Sequence, residues 1–255
     1  MRFGVCCDPR RFEAAAAAGL VYAELPMASL HGKSKEEILQ IRRLADGCGI
    51  SVDGFNCFFG GDVRLYGVPA EEVLSYAAVN FEIANALGAV YCVVGSGAAR
   101  RVPAGADGAE TEKRFAEILC GIAELARKYG VEIYLEPLCY AETDVINTFE
   151  QGLALCRAAG VGNLGCLVDL YHFYKNGEDL SVFDDLEPGD LRHVHLARPD
   201  EDRRAPTEAD AETLKLWAEK LKASGYDGRV SLECIWGDDF GGEAKTAAKI
   251  LKEIF

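Results

Sequence analysis

Val131-Glu132-Ile133-Tyr134-Leu135-Glu136 is the stretch on which the fold turns. Val131, Ile133 and Leu135 share one parity, and Glu132, Tyr134 and Glu136 share the other. Side chains alternate across a strand, so the run reads as a β-strand with one apolar face and one face that ends in a carboxylate. A helical pattern over Glu110–Tyr129 precedes it and closes on Gly130; another over Thr148–Ala159 follows and closes on Gly160. Glycine just after a helix supplies the left-handed residue that ends it.

The same alternation extends in both directions. Strands are expected at Arg2–Cys7, Leu20–Leu25, Ile50–Cys57, Ala89–Gly95, Leu164–Asp169, Leu191–Leu196 and Arg229–Cys234. Helical periodicity covers Arg11–Ala18, Lys35–Cys48, Ala70–Leu87, Glu178–Leu186, Glu208–Ala223 and Glu243–Phe255, with Gly19, Gly49, Gly88 and Gly225 as further stops. Eight strand-then-helix units in 255 residues predict an α/β protein, a single (β/α)8 TIM barrel, with residues 1–255 as one domain. The alternative is an open doubly wound sheet. That fold usually carries a Gly-rich phosphate loop after its first strand, and Cys6-Cys7-Asp8-Pro9 contains no glycine.

Parity also selects site residues. On the sixth run Leu164, Cys166 and Val168 face the helices and Asp169 faces inward; on the seventh His193 and His195 face inward; on the eighth Glu233 does. Four consecutive strands thus deliver Glu136, Asp169, His195 and Glu233 to the C-terminal rim, where barrel active sites lie. Three carboxylates converging on one imidazole repel one another unless a cation joins them. Oxygen-rich ligation with one nitrogen suits Mn2+ first, with Mg2+ or Co2+ as alternatives. Singly, each carboxylate also reads as a solvated residue or a helix cap, and His193 as a hydrogen-bonded interior histidine.

Composition narrows the partners. Lys plus Arg number 27 and Asp plus Glu 41, a net charge of −14. That charge disfavours a nucleic-acid partner, whose phosphates call for basic residues. No apolar run approaches the roughly 20 residues of a membrane span, and no secretory signal pattern opens the chain, so a cytoplasmic location without membrane association is expected. Ten cysteines occur without zinc-type CxxC spacing, and they read as reduced, mostly buried small hydrophobes rather than as disulfides.

These motifs resemble the xylose-isomerase-like TIM-barrel superfamily, in particular its sugar epimerase and isomerase branch. Glu136-Pro-Leu-Cys-Tyr-Ala-Glu142, Val168-Asp169-Leu-Tyr-His172, His193-Val-His195-Leu and Tyr226-Asp-Gly-Arg-Val-Ser-Leu-Glu233 carry the resemblance, and Val94-Gly95-Ser96-Gly97 with Arg100 and Arg101 is similar to a fourth-strand loop of the group. The resemblance implies that Glu136, Asp169, His195 and Glu233 hold a metal, that Glu136 and Glu233 are also catalytic, and that Glu142 and His172 meet a small sugar. A substrate-binding arginine is expected after the seventh strand: Arg203, which keeps an Arg-x-x-Pro relation to Pro206, with Arg198 and Arg204 competing. His172-Phe-Tyr174 departs from the His-x-Asn common in epimerases. Members are often dimers or tetramers.

The chemistry follows from the groups. A proton on carbon next to a carbonyl is weakly acidic, a metal on the neighbouring oxygens stabilises the enediolate left by its removal, and two carboxylates can remove and return it. The reading is therefore a metal-dependent sugar epimerase or aldose–ketose isomerase, for a ketose or sugar-phosphate-like substrate. An inosose-type dehydratase or isomerase is the alternative; an endonuclease-like phosphodiesterase and a non-catalytic barrel rank below it. Trp236, Phe58, Phe59 and Tyr140 lie just past strand ends and read either as a sugar-gripping wall or as packing between loops. Glu178–Asp185 and Asp200–Arg204 read as solvated charge runs, the arginines excepted.

Overall fold

The computed structural model describes residues 1–200 and 202–255; Glu201, within the mixed run Asp200–Arg204, lies outside the described residues. Eight strands, β1 (Arg2–Cys6), β2 (Tyr22–Pro26), β3 (Ser51–Asn56), β4 (Tyr91–Val94), β5 (Glu132–Leu135), β6 (Leu164–Asp169), β7 (Leu191–Leu196) and β8 (Arg229–Leu232), form a closed barrel in chain order. All neighbours pair in parallel, and β1 closes on β8 in a register running from Arg2 opposite Arg229 to Val5 opposite Leu232. The chain is a single (β/α)8 barrel.

The helices are α1 (Phe12–Ala17), α2 (Lys35–Cys48), α3 (Ala70–Leu87), α4 (Gly108–Arg127), α5 (Phe149–Ala159), α6 (Leu170–Lys175), α7 (Ala211–Ala223) and α8 (Phe240–Ile254). The six glycines read as helix stops all take φ between 62° and 80°, a conformation that costs other residues a Cβ clash. Ser34 and Thr148 open α2 and α5 with reciprocal capping boxes to Glu37 and Gln151. The main core lies between the strands and the helix ring, where Phe81, Phe115 and Phe149 from α3, α4 and α5 are fully buried; each contributes about 2–3 kcal/mol of apolar burial.

A second, smaller cluster of Tyr91, Val93, Tyr134 and Leu167 fills the barrel interior. The ring of Tyr91 lies where Gly54 would carry a Cβ, so the absent side chain on β3 makes room for the plug. This plug lies beside the buried His193 ring, 4.9 Å from Tyr91 between ring centres.

One expected element is corrected. Glu178–Leu186 is not an α-helix: Leu180–Asp185 forms a 3-10 helix, and the α-helix of this unit is α6, directly after β6. Leu180, Phe183 and Leu186 recur every third residue, which fits three residues per turn rather than 3.6. Phe183 anchors the segment against Phe149 and Phe173, both at 5.5 Å between ring centres. All ten cysteines are free. Among the described residues no helix is long and apolar enough to cross a membrane.

Candidate metal and active site

Strand parity brings together the four residues that the sequence pointed to. Asp169 and His195 stand at the ends of β6 and β7, and Glu136 and Glu233 one residue past β5 and β8. Their ligand atoms lie within 4.8 Å of one another. His195 Nδ1 is 3.2 Å from Glu136 Oε1 and 2.9 Å from Glu233 Oε2.

Each carboxylate is held from outside the cluster. Arg100 is fully buried and donates from Nη2 to the Glu136 carbonyl oxygen at 2.9 Å, fixing the backbone that carries the side chain. Gly95 brings the β4 backbone against the Glu136 carboxylate, and a Cβ there would overlap Oε2. Asp169 accepts the Tyr171 and His172 amides with Oδ1 at 2.8 and 3.4 Å, so it caps α6 while Oδ2 faces the site. Asn56 Nδ2 donates to Glu233 Oε1 at 2.6 Å.

Arg203 is the arginine that enters. Its Nη2 donates to Asp169 Oδ2 at 2.6 Å and to Glu233 Oε2 at 2.5 Å, and its guanidinium covers the Tyr171 ring. Arg203 adopts φ 50°, and its carbonyl accepts the Ile235 amide at 2.7 Å. Arg198 instead pairs with Asp200 and Asp210, and Arg204 lies beside Gly237. Around Arg203 stand His172, with Nε2 at 3.3 Å, and Glu142, with Oε1 at 3.9 Å. The Cys139 amide points at His172 Nδ1 from 3.3 Å, so the ring is held between that amide and Arg203.

Of the remaining expected residues, Trp236, Phe58 and Phe59 pack against neighbouring rings and Tyr140 faces solvent. Trp236 meets Phe240 edge-on at 4.7 Å, and its Nε1–H is buried without a partner among the described residues. Phe58 and Phe59 are buried against each other, Phe81 and Tyr76. Tyr140 is 62 % exposed.

The electrostatics suit a cation. Burial and the Glu233 charge both push the Glu136 carboxyl above its usual range. Burial alone would raise Glu233 as well, but His195 and Arg203 outweigh it and hold that carboxyl well below. Asp169 and Glu233 are paired here with the Arg203 guanidinium and the His195 ring, and a divalent ion would share those carboxylates. Two other groups among the described residues have ligand-like spacing: Cys6–Glu24–His195 and Cys139–Glu142–His172. In the first, burial and Glu24 hold the Cys6 thiol protonated, and Glu24 is already engaged by two histidines. In the second, a ring nitrogen is occupied by the Cys139 amide. The oxygen-rich cluster is the better fit.

The sequence reading passed over Glu24, Asn56 and Arg100 as members of the site. Parity carried the signal for the first two: Tyr22 and Glu24 on β2, and Gly54 and Asn56 on β3, fall on the inward face. A separate cavity of about 570 Å3 between the β2–α2 and β3–α3 loops is lined by His31, Arg64 and Tyr76.

A parallel barrel with an acidic, histidine-containing cluster on its last four strands defines a class, and the comparisons with known proteins give the same one. The chain belongs to the xylose isomerase-like TIM barrel family, whose model matches residues 12–254. It is 30% identical over 243 residues to a putative hydroxypyruvate isomerase of Streptomyces coelicolor, covering 89% of this chain and 85% of that one. It is 27% identical over 155 residues to an inosose isomerase of Halalkalibacterium halodurans, covering 56% of this chain. That match spans about half of the inosose isomerase, 54% of its length. The fold matches D-psicose 3-epimerase of Clostridium cellulolyticum H10, solved with D-tagatose, at a TM-score of 0.82 with 18% identity, over 99% of this chain and 98% of the other.

Proposed function

We propose that the chain, taken as one catalytic domain, is a divalent-metal-dependent isomerase or epimerase of small carbonyl sugars. The convergence of Glu136, Asp169, His195 and Glu233 within 4.8 Å supports this reading most directly. Mn2+ is the ion expected first, from the oxygen-rich donor set. When bound, the ion supplies electrophilic pull on the sugar's carbonyl and neighbouring hydroxyl oxygens.

The chain's own groups carry the proton. Glu136 and Glu233 come from β5 and β8, three strands apart in the ring, and so approach a bound carbon from different sides. One, as the carboxylate, takes up the proton next to the carbonyl and leaves an enediolate of the sugar; the other, as the carboxylic acid, delivers its own proton to carbon and becomes the carboxylate. Return to the opposite face gives the epimer; return to the neighbouring carbon gives the aldose–ketose isomer. His172 meets a substrate oxygen, Glu142 accepts from a hydroxyl, and Arg203 donates to an oxygen beside them. Trp236 contributes to the wall of the site near α8.

The test is a panel of ketoses, aldoses and a cyclic inosose incubated in D2O with Mn2+, chelated, and read by NMR. Deuterium uptake at the carbon next to the carbonyl, with a new isomer, is expected for at least one member. Turnover of the inosose alone would select the second reading, which the match to inosose isomerase favours. Absence of uptake on every member, with metal shown to be bound, refutes the proton-transfer mechanism.

A further inference from the structure

Glu24 is a carboxylate at 0 % exposure inside the barrel, below the four-residue cluster. Its Oε2 accepts from His195 Nε2 at 3.1 Å, and its Oε1 accepts from His193 Nε2 at 2.7 Å and from the Ser231 hydroxyl. The Ser231 hydroxyl also meets Tyr22 Oη at 2.8 Å. His193 and Ser231 are themselves fully buried, so the brace is closed off from solvent. The residues that plug the barrel next to it, Tyr91, Val93, Tyr134 and Leu167, are mainly apolar. Packing alone would favour an apolar side chain here as well, because a buried carboxylate must recover its lost hydration from hydrogen bonds.

His195 gives the carboxylate a second purpose. The imidazole has two nitrogens at opposite ends of one ring, and Nδ1 alone faces Glu136 and Glu233, at 3.2 and 2.9 Å. Turning the ring over would present a carbon to those carboxylates and bring Nδ1 away from them. On the far side, Cys6 Sγ lies 4.0 Å from Nε2, too weak a partner to define the ring's orientation. Glu24 is therefore the group that fixes it. An anion on Nε2–H also keeps a ring proton there, so that a cation entering the cluster would displace the proton at Nδ1 and meet a nitrogen made more basic by Glu24.

We propose that Glu24 is a positioning residue that commits His195 to offer Nδ1 to the carboxylate cluster, with His193 and Ser231 as the brace that holds Glu24. The proposal rests on the reading of the cluster as a metal site. Removing partners of this kind typically costs 10–100-fold in metal affinity.

Two measurements test it on the full chain. Mn2+ is titrated into the metal-free protein and free Mn2+ is followed by EPR, for the unaltered protein, for Glu24→Gln and for Glu233→Gln. A dissociation constant roughly 10–100-fold weaker in Glu24→Gln, with an unchanged circular dichroism spectrum, supports the proposal. A constant within twofold of the unaltered protein overturns it while the metal reading stands. Failure of the unaltered protein to bind Mn2+ overturns the metal reading and Glu24's role with it. The second measurement needs no variant, and so decides the matter even where Glu24→Gln does not fold. With 113Cd2+ as the probe and 15N-labelled histidine, the His195 coupling to cadmium is expected on Nδ1, with Nε2 carrying the proton. Coupling on Nε2 overturns the proposal.

Discussion

Replacing Gly95 by alanine is the sharpest single perturbation the site offers. A Cβ built on Gly95 stands 3.1 Å from Glu136 Cδ and 3.5 Å from its Cβ, and it overlaps Oε2. Non-bonded carbon contacts settle at about 3.5 Å or beyond, so the carboxylate tip must retreat by roughly 1–1.5 Å. Gly95 is not among the positive-φ glycines, so alanine is free of backbone strain there. The overpacking costs stability about 1 kcal/mol, the low end of its range, because the clashing atom ends a flexible side chain. Function suffers more, since a misplacement of about 1 Å can cost roughly 10²-fold, or about 2.7 kcal/mol of transition-state stabilisation. Gly95→Ala is thus expected to lose about two orders of magnitude in substrate deuterium exchange and to bind Mn2+ more weakly, while melting within a few degrees of the unaltered protein. The control is Gly61→Ala, which meets nothing within 4 Å and should change neither quantity. Unchanged exchange and unchanged Mn2+ affinity in Gly95→Ala would show that Glu136 does not work from the position it occupies here.

Glu178 is pushed up to about 7, mainly by burial, even though the Phe149 amide donates to it. Because the folded value lies above the unfolded one, its stabilising contribution is complete below about pH 4.5 and is lost as the pH rises through about 7. Glu178→Gln should therefore flatten the stability profile between pH 5 and 8 and gain about 1–2 kcal/mol at pH 8 after allowance for partial solvent exposure, measured by urea melts at each pH. Saturating Mn2+ at about 100 times its dissociation constant should stabilise the protein by about 2.7 kcal/mol, raising the melting temperature by roughly 5–10 °C, and EDTA should reverse the shift. Gly47→Ala, on the exposed side of α2 with nothing within 4 Å of the new methyl, should stabilise by up to about 1 kcal/mol; a loss in a thermal melt would contradict the helix geometry there. Arg100→Leu leaves the Glu136 and Val145 carbonyls short of a donor and should cost about 1–3 kcal/mol in chemical denaturation.

Much of this was legible in the chain itself. Strand and helix periods are local, and the glycine stops are local, so the order of elements and the barrel could be read without a structure. The inward parity of Glu136, Asp169, His195 and Glu233 is also a local property, fixed by the two-residue repeat of a strand. Leu180–Asp185 was read as α-helix although its apolar residues recur every third position, and the six-residue α6 was passed over because fewer than two turns hold too little pattern.

The tertiary structure decided what depends on distance through space. Glu24 meets His193 and His195 across 169 and 171 residues of chain, and nothing on β2 alone names those partners. The sequence favoured Arg203 for its relation to Pro206 with Arg198 and Arg204 competing; through space, Arg203, at φ 50°, meets Asp169 and Glu233, while Arg198 pairs with Asp200 and Asp210. Barrel closure joins β1 to β8 and brings such distant groups together, and that pairing is a property of the closed ring rather than of any segment in it.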